Sequence, residues 1–416
     1  MSEETRGGLE GGGVVLCLAT FFKGNEFLRE CRRRGSRVVL LTREKLLGEP
    51  WAREALEDLV AVSDPEGCSG SYLEAARALA RRHRVRRVVA LEEYDVLTAA
   101  LVREELSVPG AGYTVARRFQ DKLTMRAAAR AAGLNVPDFV HLLNGAEVAD
   151  FLRRVPPPWV LKPRKGASAM GVRLLSEEDE VWRAAAELDS RGRPDERAPQ
   201  HLLEAYVAGE VFHVDALTAG GRVRFACASV YGEPPLDVAT RGGVSTSRTV
   251  RRGSAVERLL LAANRKLLRG FGLRDGVTHA EFIRCATRGR VYLLEVAARV
   301  GGAHTAELVE AATGVNLWRE WARVETATAA NPYEPPAARR DYGGIAISLS
   351  RQERPDTSAF DDEEIVFRVD KPWHAGLVVS SPSYERVAGL LADYEQRFAA
   401  TFLAVAPPEL TPAQHL

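Results

Sequence analysis

The chain has 416 residues, 46% hydrophobic and 27% charged, with a formal net charge of +1. That length accommodates two or three packed units, and the near-neutral balance supplies no global field for nucleic acid or an anionic membrane, so an anion site has to be local. No apolar run is long enough to cross a bilayer, and the five scattered cysteines (Cys17, Cys31, Cys68, Cys227, Cys285) form no CxxC pair and no even framework, which argues for a reducing cytoplasm and against zinc.

Residues 1–12 are acidic and Gly-rich, unlike a signal peptide, and are expected to be a flexible tail. "VVLCLA" (14–19) reads as a buried parallel strand, "NEFLRECRRRG" as a helix ending at Gly35, and "RVVLLT" as a second strand. "SYLEAARALARRHRV" is a helix and "RRVVALEE" a third strand. This alternation predicts an open α/β domain over residues 13–112. At its first turn stands "LATFFKGN" rather than G-x-G-x-x-G, so it is not read as a dinucleotide domain.

"RRFQDKLTMRAAARAAGLNVPDF" gives a helix with Asp121 near its start, Gly133 at its end and Pro137 beyond. "EVADFLRRV" is a helix, "PWVLKP" a strand stopped by Pro163, and "RLLSEEDEVWRAAAEL" a strand and a helix. After a charged loop at 190–199, "HLLEAYVAGEVFHVDALTAGGRVRFACASVYG" reads as strands turning at Gly220–Gly221. "SAVERLLLAANRKLLRGFGL" is a long amphipathic helix, and "GVTHAEFIR" and "GRVYLLEVAA" are strands around a short turn. A linker from Asn331 leads to a C-terminal α+β subdomain, 331–416, ending in a strand and a helix.

Only seven of the 57 basic residues are lysines, yet Lys162 and Lys165 stand together in "LKPRKGASAMGV". A strand delivers Lys162 to a turn where Gly166, Ala167, Ser168, Ala169 and Gly171 expose successive backbone N–H groups, a cradle that suits a polyphosphate as well as it suits a solvated hairpin. Lys122 follows Asp121 at a helix start, where the dipole disfavours a cation, and so hints at a duty elsewhere. In "LLEAYVAGE", Glu204, Tyr206, Val207 and Glu210 lie on an apolar segment of the kind that borders an adenine and its ribose, though an ordinary strand would read the same.

"THAEFIRCATRGRVYLLEVAARVGGAH" carries the most chemistry. If its two strands close around Arg288, Glu281 stands opposite Glu295, and two like charges so placed call for a cation, most naturally Mg²⁺, unless they share a proton or face outward. Arg299 follows, suited to negative charge in an acyl or phosphoryl transition state, and Gly301–Gly302 allow close backbone approach. His279 and His304 are candidate substrate contacts or structural histidines.

Taken in order and spacing, "DKLTMRAAARAAGLNVPDF", "VLKPRKGASAMGV", "LLEAYVAGE" and "AEF…LLEVAARVGG" resemble the ATP-grasp superfamily, from about Asp121 to about Leu317. The resemblance implies an α/β and α+β chain: an ATP-grasp domain over 113–330, with a lid subdomain at about 125–205, behind an N-terminal open α/β (pre-ATP-grasp) domain. ATP would lie between two α+β subdomains. Lys122 and Lys162 would touch its phosphates beneath the loop with Lys165, Ser168 and Gly171. Glu204, Tyr206 and Val207 would border the adenine and Glu210 the ribose. Glu281 and Glu295 would bind Mg²⁺ (or Mn²⁺), Arg299 and Lys162 would serve catalysis, and His279, Gly301, Gly302 and His304 would face substrate. Ala297 stands where the family commonly has an asparagine, which removes one ligand and leaves the number of ions open.

"EVAARVGGAH", "GVTHAEF" and "HAGLVV" are most similar to the carboxylate–amine (L-amino acid) ligase branch, and no biotin-carrier segment accompanies them. The implied activity is ADP-forming amide or peptide bond synthesis through an acyl-phosphate, from small carboxylate and amine substrates, in the cytoplasm. The alternatives are transfer of an amino acid to a carrier protein or peptide, and a non-catalytic ATP-binding module. A homodimer is compatible with this reading but not required by it.

Overall fold

The computed structural model describes residues 13–63, 69–166, 169–190 and 196–404; the expected tail, Cys68, Ser168 and part of the 190–199 loop lie outside the described residues. The chain opens with β1 (Val14–Ala19), α1 (Asn25–Arg33), β2 (Arg37–Arg43), β3 (Asp58–Val62), α2 (Ser69–Arg82), β4 (Val85–Ala90), α3 (Val96–Glu105) and α4 (Tyr113–Gln120). Its four strands form a parallel sheet in the order β3-β2-β1-β4. All of β1 is buried because the sheet is covered on both faces: Val14, Leu16 and Leu18 enter one core, and Val15, Cys17 and Ala19 enter another.

A second unit follows: α5 (Lys122–Ala131), β5 (Phe139–His141), α6 (Gly145–Arg154), β6 (Trp159–Pro163), β7 (Arg173–Leu175), α7 (Glu178–Asp189) and β8 (His201–Ala205). Its sheet is antiparallel, ordered β5-β8-β6-β7, over a core that includes Phe151, Trp159, Leu161, Val181 and Leu203.

The remainder comprises β9 (Gly209–Ala219), β10 (Arg222–Tyr231), α8 (Pro235–Arg241), β11 (Ser245–Thr249), α9 (Ala255–Phe271), β12 (Gly276–Cys285), β13 (Val291–Ala297), α10 (Thr305–Thr313), α11 (Leu317–Glu325), β14 (Tyr342–Leu349), β15 (Ile365–Arg368), β16 (His374–Ser381) and α12 (Tyr384–Thr401). The strands make one eight-stranded sheet, β13-β12-β9-β10-β11-β14-β16-β15. The segment read as a C-terminal subdomain therefore adds its three strands to the sheet of the preceding unit, at β11, and covers them with α12 through Val387, Leu391, Tyr394 and Phe398.

The long helix α9 covers one face of β9 and β12, packing Leu260, Leu267 and Phe271 on Phe212, Val214, Ala280 and Phe282. Strand periodicity then turns His213, Asp215, His279 and Glu281 to the opposite face. β13 is an edge strand, and Asn135 lies along its outer rim. Asn135 accepts from the Leu293 N–H (2.9 Å) and donates its amide to the Val291 carbonyl (3.0 Å).

Asp121 joins the units. Its side chain accepts the Leu123 N–H as the N-cap of α5, and it also pairs with Arg164 at the end of β6 (2.5 Å) and Arg117 on α4 (2.8 Å). Burial works against its charge, but the two guanidinium groups outweigh burial and hold the carboxyl well below the usual range. Asp121→Ala should lower unfolding free energy by about 2–4 kcal/mol in urea titrations at pH 7. Because the folded pKa is depressed, that contribution is present above the unfolded value near about 3.9 and shrinks below it, so wild type and variant should converge in acid.

Candidate functional site

The β12–β13 ladder pairs Glu281 directly with Glu295, with an irregularity just after Glu281. The turn sets Arg284 opposite Val291 and Phe282 opposite Leu293, and the irregularity then carries Glu281 past Leu294 to Glu295, the pairing that closure around Arg288 predicts. The two carboxylates are held differently. Glu281 Oε1 accepts the Tyr231 hydroxyl at 2.9 Å and lies 3.5 Å from His279 Nε2. Glu295 Oε1 lies 3.0 Å from Lys122 Nζ, which also donates to the Gly166 carbonyl at 2.8 Å. One ammonium thus ties the carboxylate pair to the glycine-rich loop.

A second chain of charges runs beneath it. Lys162 Nζ sits 2.6 Å from Glu204 Oε2, and Arg126 Nε sits 2.6 Å from Glu204 Oε1. Arg126 then donates to the Leu294 carbonyl at 2.7 Å, one residue before Glu295. Arg126, Lys162 and Glu204 are 0%, 4% and 2% exposed, so these charges exist only because they are mutually paired. Burial, reinforced by the Arg126 charge, draws Lys162 down to about 8. Arg126 escaped the sequence reading because it sits in an alanine-rich helix. The available signal was its spacing from Lys122, four residues on, which puts both on one helical face.

Arg299 is met by the N-terminal domain. Its Nε lies 3.2 Å from Glu93 Oε2 and 4.0 Å from Glu92 Oε1, and its Nη1 donates to the Val300 carbonyl at 2.9 Å. Lys23, in the "LATFFKGN" turn, pairs with Glu92 Oε2 at 2.6 Å. Burial pushes the Glu93 carboxyl up to about 7 against the pull of Arg299. Sequence reading assigned these two glutamates to a strand end and gave them no role.

A polar network lies on the same sheet face as Glu281. His213 Nδ1 and His279 Nδ1 approach the two oxygens of Asp215, at 2.7 and 2.8 Å, and His213 Nε2 lies 2.8 Å from Ser247 Oγ. His213, Asp215 and His279 are close enough to hold an ion, but each ring is already bonded within the protein. Burial disfavours the charged His279 ring, yet Asp215 and Glu281 outweigh it and raise the ring to about 10. A Cβ at Gly301 would stand 2.2 Å from Thr305 Oγ1 and 2.7 Å from His279 Nδ1, so this loop position admits only glycine; Gly302 faces open space.

The fold therefore brings together Lys122, Lys162, Glu204, Glu281, Glu295, Arg299, His279 and Gly301. Tyr206 is exposed and Val207 half-buried on the β8–β9 connection, and Glu210, exposed at the start of β9, lies 3.5 Å from Arg284. Lys165 is exposed, and Gly171 takes a φ of 68° against Pro163. His304 lies beyond Gly302 with its ring 5.4 Å from that of Phe367. An all-oxygen pair of opposed carboxylates with ammonium groups around it fits a hard divalent cation bridging to phosphates.

Residues 155–307 match the ATP-grasp domain family. An L-arginine-specific L-amino acid ligase of Bacillus subtilis is 23% identical over 231 residues, which are 56% of this chain and 55% of the relative. Human carnosine synthase 1 is 30% identical over 223 residues, 50% of this chain and 26% of the relative. The chain thus spans little more than half the bacterial relative's length. The crystal structure of an L-amino acid ligase from Bacillus licheniformis superposes with a TM-score of 0.73 at 18% identity, covering 93% of this chain and 98% of the other. The fold is the ATP-grasp fold.

Glu204→Gln should leave Lys162 and Arg126 buried without a counter-charge and destabilise the protein by about 3–5 kcal/mol in chemical denaturation. The Glu204→Gln/Arg126→Met double variant should lose less than the sum of the two single losses.

Proposed function

Since residues 155–307 are an ATP-grasp domain, we propose that the protein is an ATP-dependent carboxylate–amine ligase that releases ADP and phosphate, with an amino acid among its substrates. The observation that carries this reading is Glu281 facing Glu295, with Lys122 on one carboxylate and Tyr231 and His279 on the other. The relatives named as amino acid ligases and as carnosine synthase support the substrate class.

In this reading Glu281 and Glu295 hold Mg²⁺, which supplies charge neutralisation and alignment for the triphosphate. Ala297 contributes no side-chain ligand, so the two carboxylates carry the protein's share of the coordination. Lys122 spans from Glu295 to the loop carbonyl of Gly166, and so draws the glycine-rich loop toward the phosphates. Lys162 is kept near the phosphates by Glu204, while Tyr206 and Val207 border the adenine and Glu210 takes the ribose hydroxyls.

The chemistry follows. An oxygen of the substrate carboxylate attacks the γ-phosphorus, the bond to the bridging oxygen breaks, and ADP leaves with an acyl-phosphate formed. The amine then attacks the acyl carbon and phosphate departs with the bonding pair. Arg299 stabilises the charge on the acyl-phosphate, with its guanidinium held in place by Glu93 and Glu92. The residues contribute position and charge rather than a nucleophile, and a closed loop keeps water from the acyl-phosphate.

With ATP, Mg²⁺ and pairs drawn from a panel of amino acids, the protein should release ADP and phosphate in step with an amide product seen by mass spectrometry. Release of AMP and pyrophosphate would exclude the acyl-phosphate route. Glu295→Ala should reduce turnover at least about a hundredfold, and undiminished turnover would remove Glu295 from the metal site.

A further inference from the structure

The connection from β15 to β16 reads "VDKPW" and is fixed from both sides. The His374 N–H donates to the Lys371 carbonyl (3.2 Å), the Trp373 N–H donates to Glu353 (2.8 Å), and the Trp373 carbonyl accepts from Ser350 (2.7 Å). Trp373 is held at a φ of 62°. Five non-glycine residues among those described have positive φ, and three of them, Ala303, His304 and Trp373, gather here. Backbone strain of this kind persists where surroundings over-determine it, and it concentrates at ligand sites. The His304–Phe367 ring contact at 5.4 Å sets the β15–β16 hairpin against the loop that follows Arg299.

Cations crowd this corner. Lys371 is half-buried, and the charge acting on it is another cation, Lys23; burial first, and then Lys23, draws its ammonium below the usual lysine range. His374 is likewise drawn down by burial, with Lys371 and His304 adding to the effect against its hydrogen bond to the Pro372 carbonyl. Among the described residues no carboxylate forms an ion pair with Lys371 or His374, whereas Lys23 is paired with Glu92, which in turn borders Arg299. A partly buried cation without a counter-ion is costly, and an incoming anion relieves that cost.

We infer that the β15–β16 turn and the His304 loop form the subsite of the second substrate, where Lys371 pairs with the α-carboxylate of the amine-donating amino acid. This rests on the ligase reading. The carboxylate being activated has to lie at the phosphates near Lys162 and Arg299. A carboxylate held by Lys371 rather than by Arg299 is therefore a second one that survives the reaction as the free carboxyl end of the product.

The test is calorimetric titration of the full-length protein, with Mg²⁺ and a non-hydrolysable ATP analogue present, by the twenty L-amino acids and their α-amides. At least one free amino acid should bind about tenfold to a hundredfold more tightly than its amide. Lys371→Met should weaken the free acid by the same factor and leave both the amide and the ATP analogue unchanged, and Lys371→Arg should recover part of the loss. Equal binding of acid and amide, unaltered binding in Lys371→Met, or no amino acid binding at all would each overturn the subsite. Intact binding without ADP release would count against the ligase reading alone, and ADP release with unaltered Lys371→Met binding against the subsite alone.

Discussion

Everything at the centre of this protein depends on keeping like charges apart in a place water barely reaches. Glu281 and Glu295 face each other across a ladder, and Lys122 reaches one of them. Behind them Lys162, Glu204 and Arg126 alternate in sign. Lys162, Glu204 and Arg126 are buried, and none is stable there alone, since an unpaired buried charge costs several kcal/mol. The order lysine, glutamate, arginine, main-chain carbonyl, glutamate, lysine converts that liability into a fixed arrangement.

The arrangement also explains why three sheets are needed. β6 and β8 supply Lys162 and Glu204 from the smaller antiparallel sheet, while β12 and β13 supply Glu281 and Glu295 from the large one. The N-terminal parallel sheet delivers Glu92 and Glu93, just beyond β4, against Arg299. Charge from each layer closes on charge from another, so the layers are positioned by the site as much as the site is by the layers. The His213–Asp215–His279 network does the same within one sheet, linking β9, β11 and β12.

Legibility in the sequence followed the range of the interaction. The strand β1 and the helix α9 were readable because apolar spacing is local; the facing of Glu281 and Glu295 was readable from the strand spacing, although the irregularity after Glu281 that completes it was not. β3 begins with an aspartate and has no helix-length spacing to mark it, and β11 and β14 are recognisable mainly as partners of each other. Arg126, Glu92 and Glu93 are ordinary residues in their own segments. What gives them meaning is the pairing of Arg126 with a residue 78 positions away, and of Glu92 and Glu93 with Arg299 in another domain. Composition and periodicity carry no trace of such a pairing.

The rim of the large sheet has a consequence of its own. β13, which carries Glu295, is the outermost strand of the large sheet. An outermost strand with free peptide groups is a template on which further chains polymerise. Asn135 occupies donor and acceptor positions along that rim with one backbone carbonyl and one side-chain amide. With Arg126 on the neighbouring Leu294 carbonyl, Asn135 thus blunts an edge that would otherwise offer itself to another chain.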